Sequence, residues 1–72
     1  MTIMEKIALL EDAWDLDNGT LAEDTILADI KEYDSMGKLS LIVLCDYEFG
    51  KRLSGDTIKT FKTVKDILNF MN

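Results

Sequence analysis

Seventy-two residues with eight Lys and Arg against fourteen Asp and Glu, no histidine, no proline and one cysteine make a small acidic chain of formal charge −6. A core of this size supplies only about 3–5 kcal/mol of net stability, which leaves little room for a deep catalytic cavity. Without histidine there is no Ser-His or Cys-His nucleophile pair and none of the usual zinc sites, and the acidity repels nucleic acid and anionic lipid.

The charge is unevenly placed. Residues 1–35 carry two lysines against ten acids, a net −8, while residues 36–72 carry six bases against four acids, a net +2. Such a chain is expected to meet partners through basic surfaces, although acidity also keeps a small domain soluble. Residues 1–72 are expected to form a single domain and a monomer. No apolar run approaches the 18 residues of a membrane span, and the start lacks the basic residues and small-residue cleavage site of a signal peptide, so a cytoplasmic protein is expected.

Residues 3–14 have helical spacing. Ile3, Ile7, Leu10 and Trp14 form a stripe that Met4 and Ala8 widen, with Glu5, Glu11 and Asp12 on the wet side. Asp15 to Gly19 break the helix. The run resembles a calcium-binding loop only superficially: with Gly19 at the sixth position, the first ligand would be Trp14 and the twelfth Thr25. Asn18-Gly19 reads as a turn.

Thr20 to Asp34 reads as a long loop with a short helical turn, in which Thr20 and Glu23 have capping-box spacing. A helix over 21–31 is the competing reading. The main helix follows, Ser35 to Phe49, with Asp34 as N-cap and Gly50 as C-terminal cap. Leu39, Leu41, Ile42, Val43, Leu44 and Cys45 make it apolar on nearly every side, as in a helix that is central or gives a spare face to a partner. A buried strand over 39–45 is the rival. Cys45, within this run, reads as a small buried hydrophobe. Lys51 to Leu53 form a link, and Ser54-Gly55-Asp56 starts a short helix carrying Ile58 and Phe61. Thr63 and Asp66 open a last helix with the stripe Val64, Ile67, Leu68 and Met71. The expected fold is all-α, a small antiparallel bundle of three main helices and one short one.

On its own, Asp34-Ser35 before an apolar helix is a helix cap. Its setting says more. Asp34-Ser35-Met36 resembles the Asp-Ser-Leu attachment motif of acyl carrier proteins. The resemblance spans almost the whole chain: Thr25-Ile26-Leu27-Ala28-Asp29-Ile30 stands where that family has an anchor before the motif, and Tyr33 where many members have a bulky residue. Glu48-Phe49-Gly50 ends the second helix, and Phe61-Lys62-Thr63-Val64-Lys65-Asp66-Ile67 is similar to the family's Thr-Val-x-Asp start of the last helix.

The resemblance implies a carrier, not an enzyme. Ser35 would bear 4′-phosphopantetheine through a phosphodiester, installed by a phosphopantetheinyl transferase from coenzyme A. Asp34 would serve as cap and transferase recognition. Met36, Val43 and Phe61 would contribute to a contact ridge or the mouth of an acyl pocket. Acyl-activating, ketosynthase or acyltransferase enzymes would be the further partners. Where the fatty-acid-synthesis carriers are strongly acidic, at the start of this helix, the chain has Gly37-Lys38-Leu39-Ser40, with Asp46 and Glu48 acidic further on. That departure implies a different partner set and a specialised pathway. The competing reading is an unmodified helical interaction module with a carrier-like fold.

Ten acids within 35 residues repel one another, so added salt or a divalent cation is expected to raise the melting temperature; thermal denaturation across a salt series checks this, and a flat response refutes it.

Overall fold

The computed structural model describes residues 2–71. Its described elements are α1 (Ile3–Ala13), a 3₁₀ turn (Leu27–Asp29), α2 (Ser35–Phe49), α3 (Gly55–Ile58) and α4 (Val64–Phe70). This is the expected all-α bundle, with α1 packed against α2 and α4. None of the helices is long and apolar enough to cross a membrane.

Thr2 and Glu5 close a capping box on α1 that the sequence reading did not include: the Glu5 carboxylate accepts from the Thr2 amide at 2.9 Å, which holds this exposed acid below its usual range. The helix stops because Asp15 turns left-handed, with φ of 56°. Aspartate is among the few residues that visit this region, and the turn lets the Leu16 amide donate back to the Glu11 carbonyl at 2.7 Å.

The apolar stripe of α1 is narrower than its spacing implied. Leu10 and Trp14 are buried and Ile7 is half-buried, but Ile3, Met4 and Ala8 face solvent. Two charged residues take their place, for Lys6 and Glu11 are both buried. The assignment of Glu11 to the wet side is therefore corrected. Its carboxylate accepts the amides of Gly19 at 2.9 Å and Leu21 at 3.0 Å. A buried carboxylate is tolerated when charge-assisted bonds of this kind replace water. Glu11 thereby folds the loop back onto α1 and places Leu21 in the core.

Thr20 and Glu23 form no capping box. The Thr20 hydroxyl instead donates to the Asp17 carbonyl at 2.6 Å, and no helix starts there. The rest of the loop is held by backbone bonds to the start of α4. Ile26 and Thr63 form an isolated antiparallel bridge, and the Leu27 amide donates to the Lys62 carbonyl at 2.9 Å. In return, the first two amides of α4, those of Val64 and Lys65, donate to the carbonyls of Thr25 and Glu23 at 3.0 and 2.8 Å. A helix start has no internal partners for these donors, so the loop supplies them. The Asp66 carboxylate completes the cap by accepting from the amides of Lys62 and Thr63, which hold it below its usual range.

Leu41 and Cys45 from α2, Leu27 from the 3₁₀ turn, and Val64, Ile67 and Leu68 from α4 close the core around Leu10 and Trp14. Burial pushes the Cys45 thiol up, in keeping with its role as a small core side chain. Gly50 ends α2 in the left-handed region, φ 61°, with its amide on the Asp46 carbonyl. Phe61 lies beyond the end of α3 rather than on it, half-buried edge-on to Phe70.

Replacing Glu11 with alanine strands two amides, one of them fully buried, and is expected to cost about 1–3 kcal/mol. Glu11→Gln, which keeps an acceptor, should cost less. Urea denaturation of the two variants measures the difference, and equal stability of Glu11→Ala and the parent would refute the role.

Candidate functional site

The start of α2 is built from three directions. Asp34 ends the loop in extended backbone, and its side chain accepts from the Gly37 amide at 2.9 Å while its carbonyl takes the Lys38 amide at 2.9 Å. This is the N-cap that the sequence implied. Capping by aspartate is worth about 0.5–2 kcal/mol, and here it also sets the direction in which the helix leaves the loop.

Gly37 is the second element. It is buried as the third residue of α2, and a Cβ there would run into the carbonyl oxygen of Glu32. The glycine is therefore a requirement of the close approach between loop and helix. The space beside this small residue is filled by the Glu32 backbone.

The third element comes from α1. The Trp14 indole N–H donates to the Gly37 carbonyl at 2.9 Å in a buried bond. The same indole meets the Tyr33 ring edge-on, centroids 5.4 Å apart, and the Lys38 ammonium lies 5.5 Å from the other ring's centroid, that of Tyr33. Edge-on aromatic pairs and cation–ring contacts of this kind each contribute about 0.5–1.5 kcal/mol. The Tyr33 hydroxyl is shielded from solvent yet has no hydrogen-bond partner, and burial pushes its ionisation up. An unpartnered buried hydroxyl costs about 1–3 kcal/mol.

These contacts leave Ser35 as the first residue of α2, exposed, with Asp34 and Met36 exposed on either side. Asp34 spends its side chain on the cap, and the amides of Ser35 and Met36 precede the first intrahelical bond, at the positive end of the helix dipole. The other residues singled out from the sequence separate into two groups. Lys38 and Phe61 line one pocket, together with Ile26, Leu27, Ala28, Tyr33 and Lys62. Val43 and Asp46 are exposed farther along α2, away from that pocket.

Val43 belongs to a longer feature. The faces of α2 divide: Gly37, Leu41 and Cys45 are buried, while Met36 is 70% exposed, Leu39 52%, Val43 59% and Tyr47 85%. Positions 36, 39, 43 and 47 follow the helical repeat, so they form one apolar row that starts beside Ser35. Leu39, Val43 and Tyr47 also line a shallow groove with Ala13 and Leu44. Leu39 and Tyr47 were not identified from the sequence, where a helix apolar on all sides conceals which side is left bare. Among the described residues no cluster of three or more metal-binding side chains occurs.

No protein-family model matches the chain, and no solved structure matches it. A curated relative does. The chain is 30% identical over 71 residues to a protein named acyl carrier protein from Thermosynechococcus vestitus, a match covering 97% of this chain and 88% of that one.

Gly37→Ala tests how tightly the site is built. Helix propensity alone would favour alanine by about 1 kcal/mol. The collision with Glu32 reverses the sign, because overpacking of this kind costs about 1–3 kcal/mol, and the variant is expected to melt lower than the parent. A higher melting temperature would show that loop and helix separate freely.

Proposed function

We propose, for a chain that belongs to the acyl carrier protein family, that Ser35 is the attachment point for a 4′-phosphopantetheine arm and that α2 presents it to partner enzymes. The observation that carries this reading is the exposed Ser35 side chain at the first position of a capped helix. A transferase needs to reach that hydroxyl, and the hydroxyl needs no internal base, since the chemistry of loading belongs to the enzyme.

The residues present suit such an arm. A phosphodiester on Ser35 would lie beside the amides that open α2, where the helix dipole favours an anion by about 0.3–1 kcal/mol. Asp34 opposes this by like-charge repulsion, so its roles are the cap to Gly37 and recognition by the transferase. The arm supplies a terminal thiol on which acyl or aminoacyl groups are held as thioesters.

Partners are read from the row Met36, Leu39, Val43 and Tyr47. Such a surface gains its docking energy from burial, about 25 cal/mol for each Å² of apolar area removed from water. Lys38 at the start of α2 and Asp46 and Glu48 near its end frame the row with charges of opposite sign. Both features differ from a uniformly acidic docking helix, and they select partners with a matching apolar groove. The role is that of a carrier for a specialised pathway, such as polyketide assembly, lipid modification, surface-glycan acylation or aminoacyl transfer. Phe61, half-buried against Phe70, stands as a residue at the mouth of an acyl pocket or in partner contact.

The test is direct. Incubation with coenzyme A and a broad-specificity phosphopantetheinyl transferase is expected to add the mass of one arm to the protein, and to add nothing to Ser35→Ala. An unchanged mass under conditions that load a control carrier would overturn the proposal in favour of an unmodified interaction module. Efficient chain elongation on this protein by a housekeeping fatty-acid synthase would overturn the specialised role.

A further inference from the structure

A second groove is framed by α1 and the start of the long loop, with Met4, Ile7, Ala8, Glu11, Gly19 and Leu21 in its lining. Ser35 is not part of it, and it shares no lining residue with the groove beside α2. Its floor is fixed before anything binds. Leu21 is buried, and the buried Glu11 carboxylate accepts the Gly19 and Leu21 amides at 2.9 and 3.0 Å. Its α1 wall is bare. Met4 is 82% exposed, Ala8 is exposed and Ile7 is half-buried, while Ile3, 48% exposed, stands one turn before Ile7. The bundle does not bury these side chains, and the attachment of an arm to Ser35 does not call on them.

The same part of the chain holds the whole net charge of the protein. Residues 1–24 carry seven acids against one lysine, a net −6, and residues 25–72 carry seven acids and seven bases. That one lysine, Lys6, is buried. Exposed Glu5, Asp12, Asp15 and Asp17 border the groove residues along α1 and the turn that follows it. An apolar trough with an acidic border takes a partner that is apolar on one side and basic on the other. A second copy of this chain is a poor match, since each copy brings a net −6. An anionic lipid surface is repelled for the same reason. Met4 and Ala8, four residues apart with Ile7 and Glu11 beside them, make the kind of ridge against which another helix packs.

We infer that this groove docks a basic amphipathic helix of a partner protein, its apolar stripe over Met4, Ile7 and Ala8 and its lysines or arginines against Asp12 and Asp17. Recognition is of the helix-in-groove kind, with an unbranched methionine adapting to the partner's side chains. The preformed floor lowers the ordering cost of binding. The inference goes beyond the carrier reading and does not depend on it, since the groove does not include Ser35. A helix held here leaves Ser35 and the apolar row of α2 free. The protein stays tethered to one partner while α2 meets others.

The experiment titrates the unloaded protein with a synthetic amphipathic helical peptide of leucine and lysine and follows the backbone amide resonances. The largest shifts are expected at Met4, Ile7, Ala8, Gly19 and Leu21, ahead of those at Leu39, Val43 and Tyr47. A matched peptide with glutamate in place of each lysine should bind about tenfold more weakly. Met4→Gln changes an exposed side chain, so the variant should fold as the parent does, yet bind the lysine peptide about fivefold more weakly. Asp12→Asn combined with Asp17→Asn should weaken binding by about twofold or more, and added salt should act in the same direction. Largest shifts on the α2 row, no saturable shifts in the groove, or equal affinity for the glutamate peptide would each overturn the inference. Parent affinity in either variant would overturn it too. Groove shifts that appear on concentrating the protein alone would assign this face to a second copy and likewise overturn it. None of these outcomes bears on the loading of Ser35, which intact mass reports separately.

Discussion

The buried bond from the Trp14 indole to the Gly37 carbonyl is the constraint on which the rest of this structure depends. It joins the end of α1 to the first turn of α2 at a point where the loop backbone at Glu32 also presses in. Three segments meet there with no space for a Cβ. Because they meet so closely, α2 has one available starting point, and Ser35 is held at the surface two residues before the contact. Loss of the bond would leave a buried indole N–H without its acceptor, so the contact resists slippage as well as separation.

The long loop is ordered by the same economy of backbone groups. Its carbonyls at Glu23 and Thr25 satisfy the first amides of α4, while Glu11 satisfies two of its own amides near the other end. The segment thus acquires a defined path with only a short 3₁₀ turn and no α-helix or sheet. The consequence for function is positional. Residues 20–34 span the bundle and deliver Tyr33 and Asp34 to the start of α2 from a fixed direction.

α2 then has two separate tasks on two faces. Gly37, Leu41 and Cys45 fix it in the bundle, and the row from Met36 to Tyr47 faces outward. In a protein this small, leaving four large apolar side chains exposed forgoes stability that burial would have supplied. Their row begins beside Ser35, at the exposed start of the same helix. Charge follows a similar division, with the acids concentrated before Ser35 and the lysines of the pocket after it.

Several features were settled by the sequence alone, because they depend on residues close together along the chain. The α2 boundaries follow from Asp34 and Gly50, and the start of α4 from Thr63 and Asp66; each rests on local hydrogen bonding or local chirality. Other features were beyond its reach. The burial of Glu11 depends on where residues 19 and 21 return, and the exposure of Leu39 and Tyr47 depends on which face of an evenly apolar helix finds α1. The need for glycine at 37 arises from a carbonyl five residues earlier, and the bond that holds that turn comes from an indole 23 residues away. Periodicity records how apolar each position is, but only the packed chain decides which neighbour it meets, and which apolar side chains stay exposed is set at that second step.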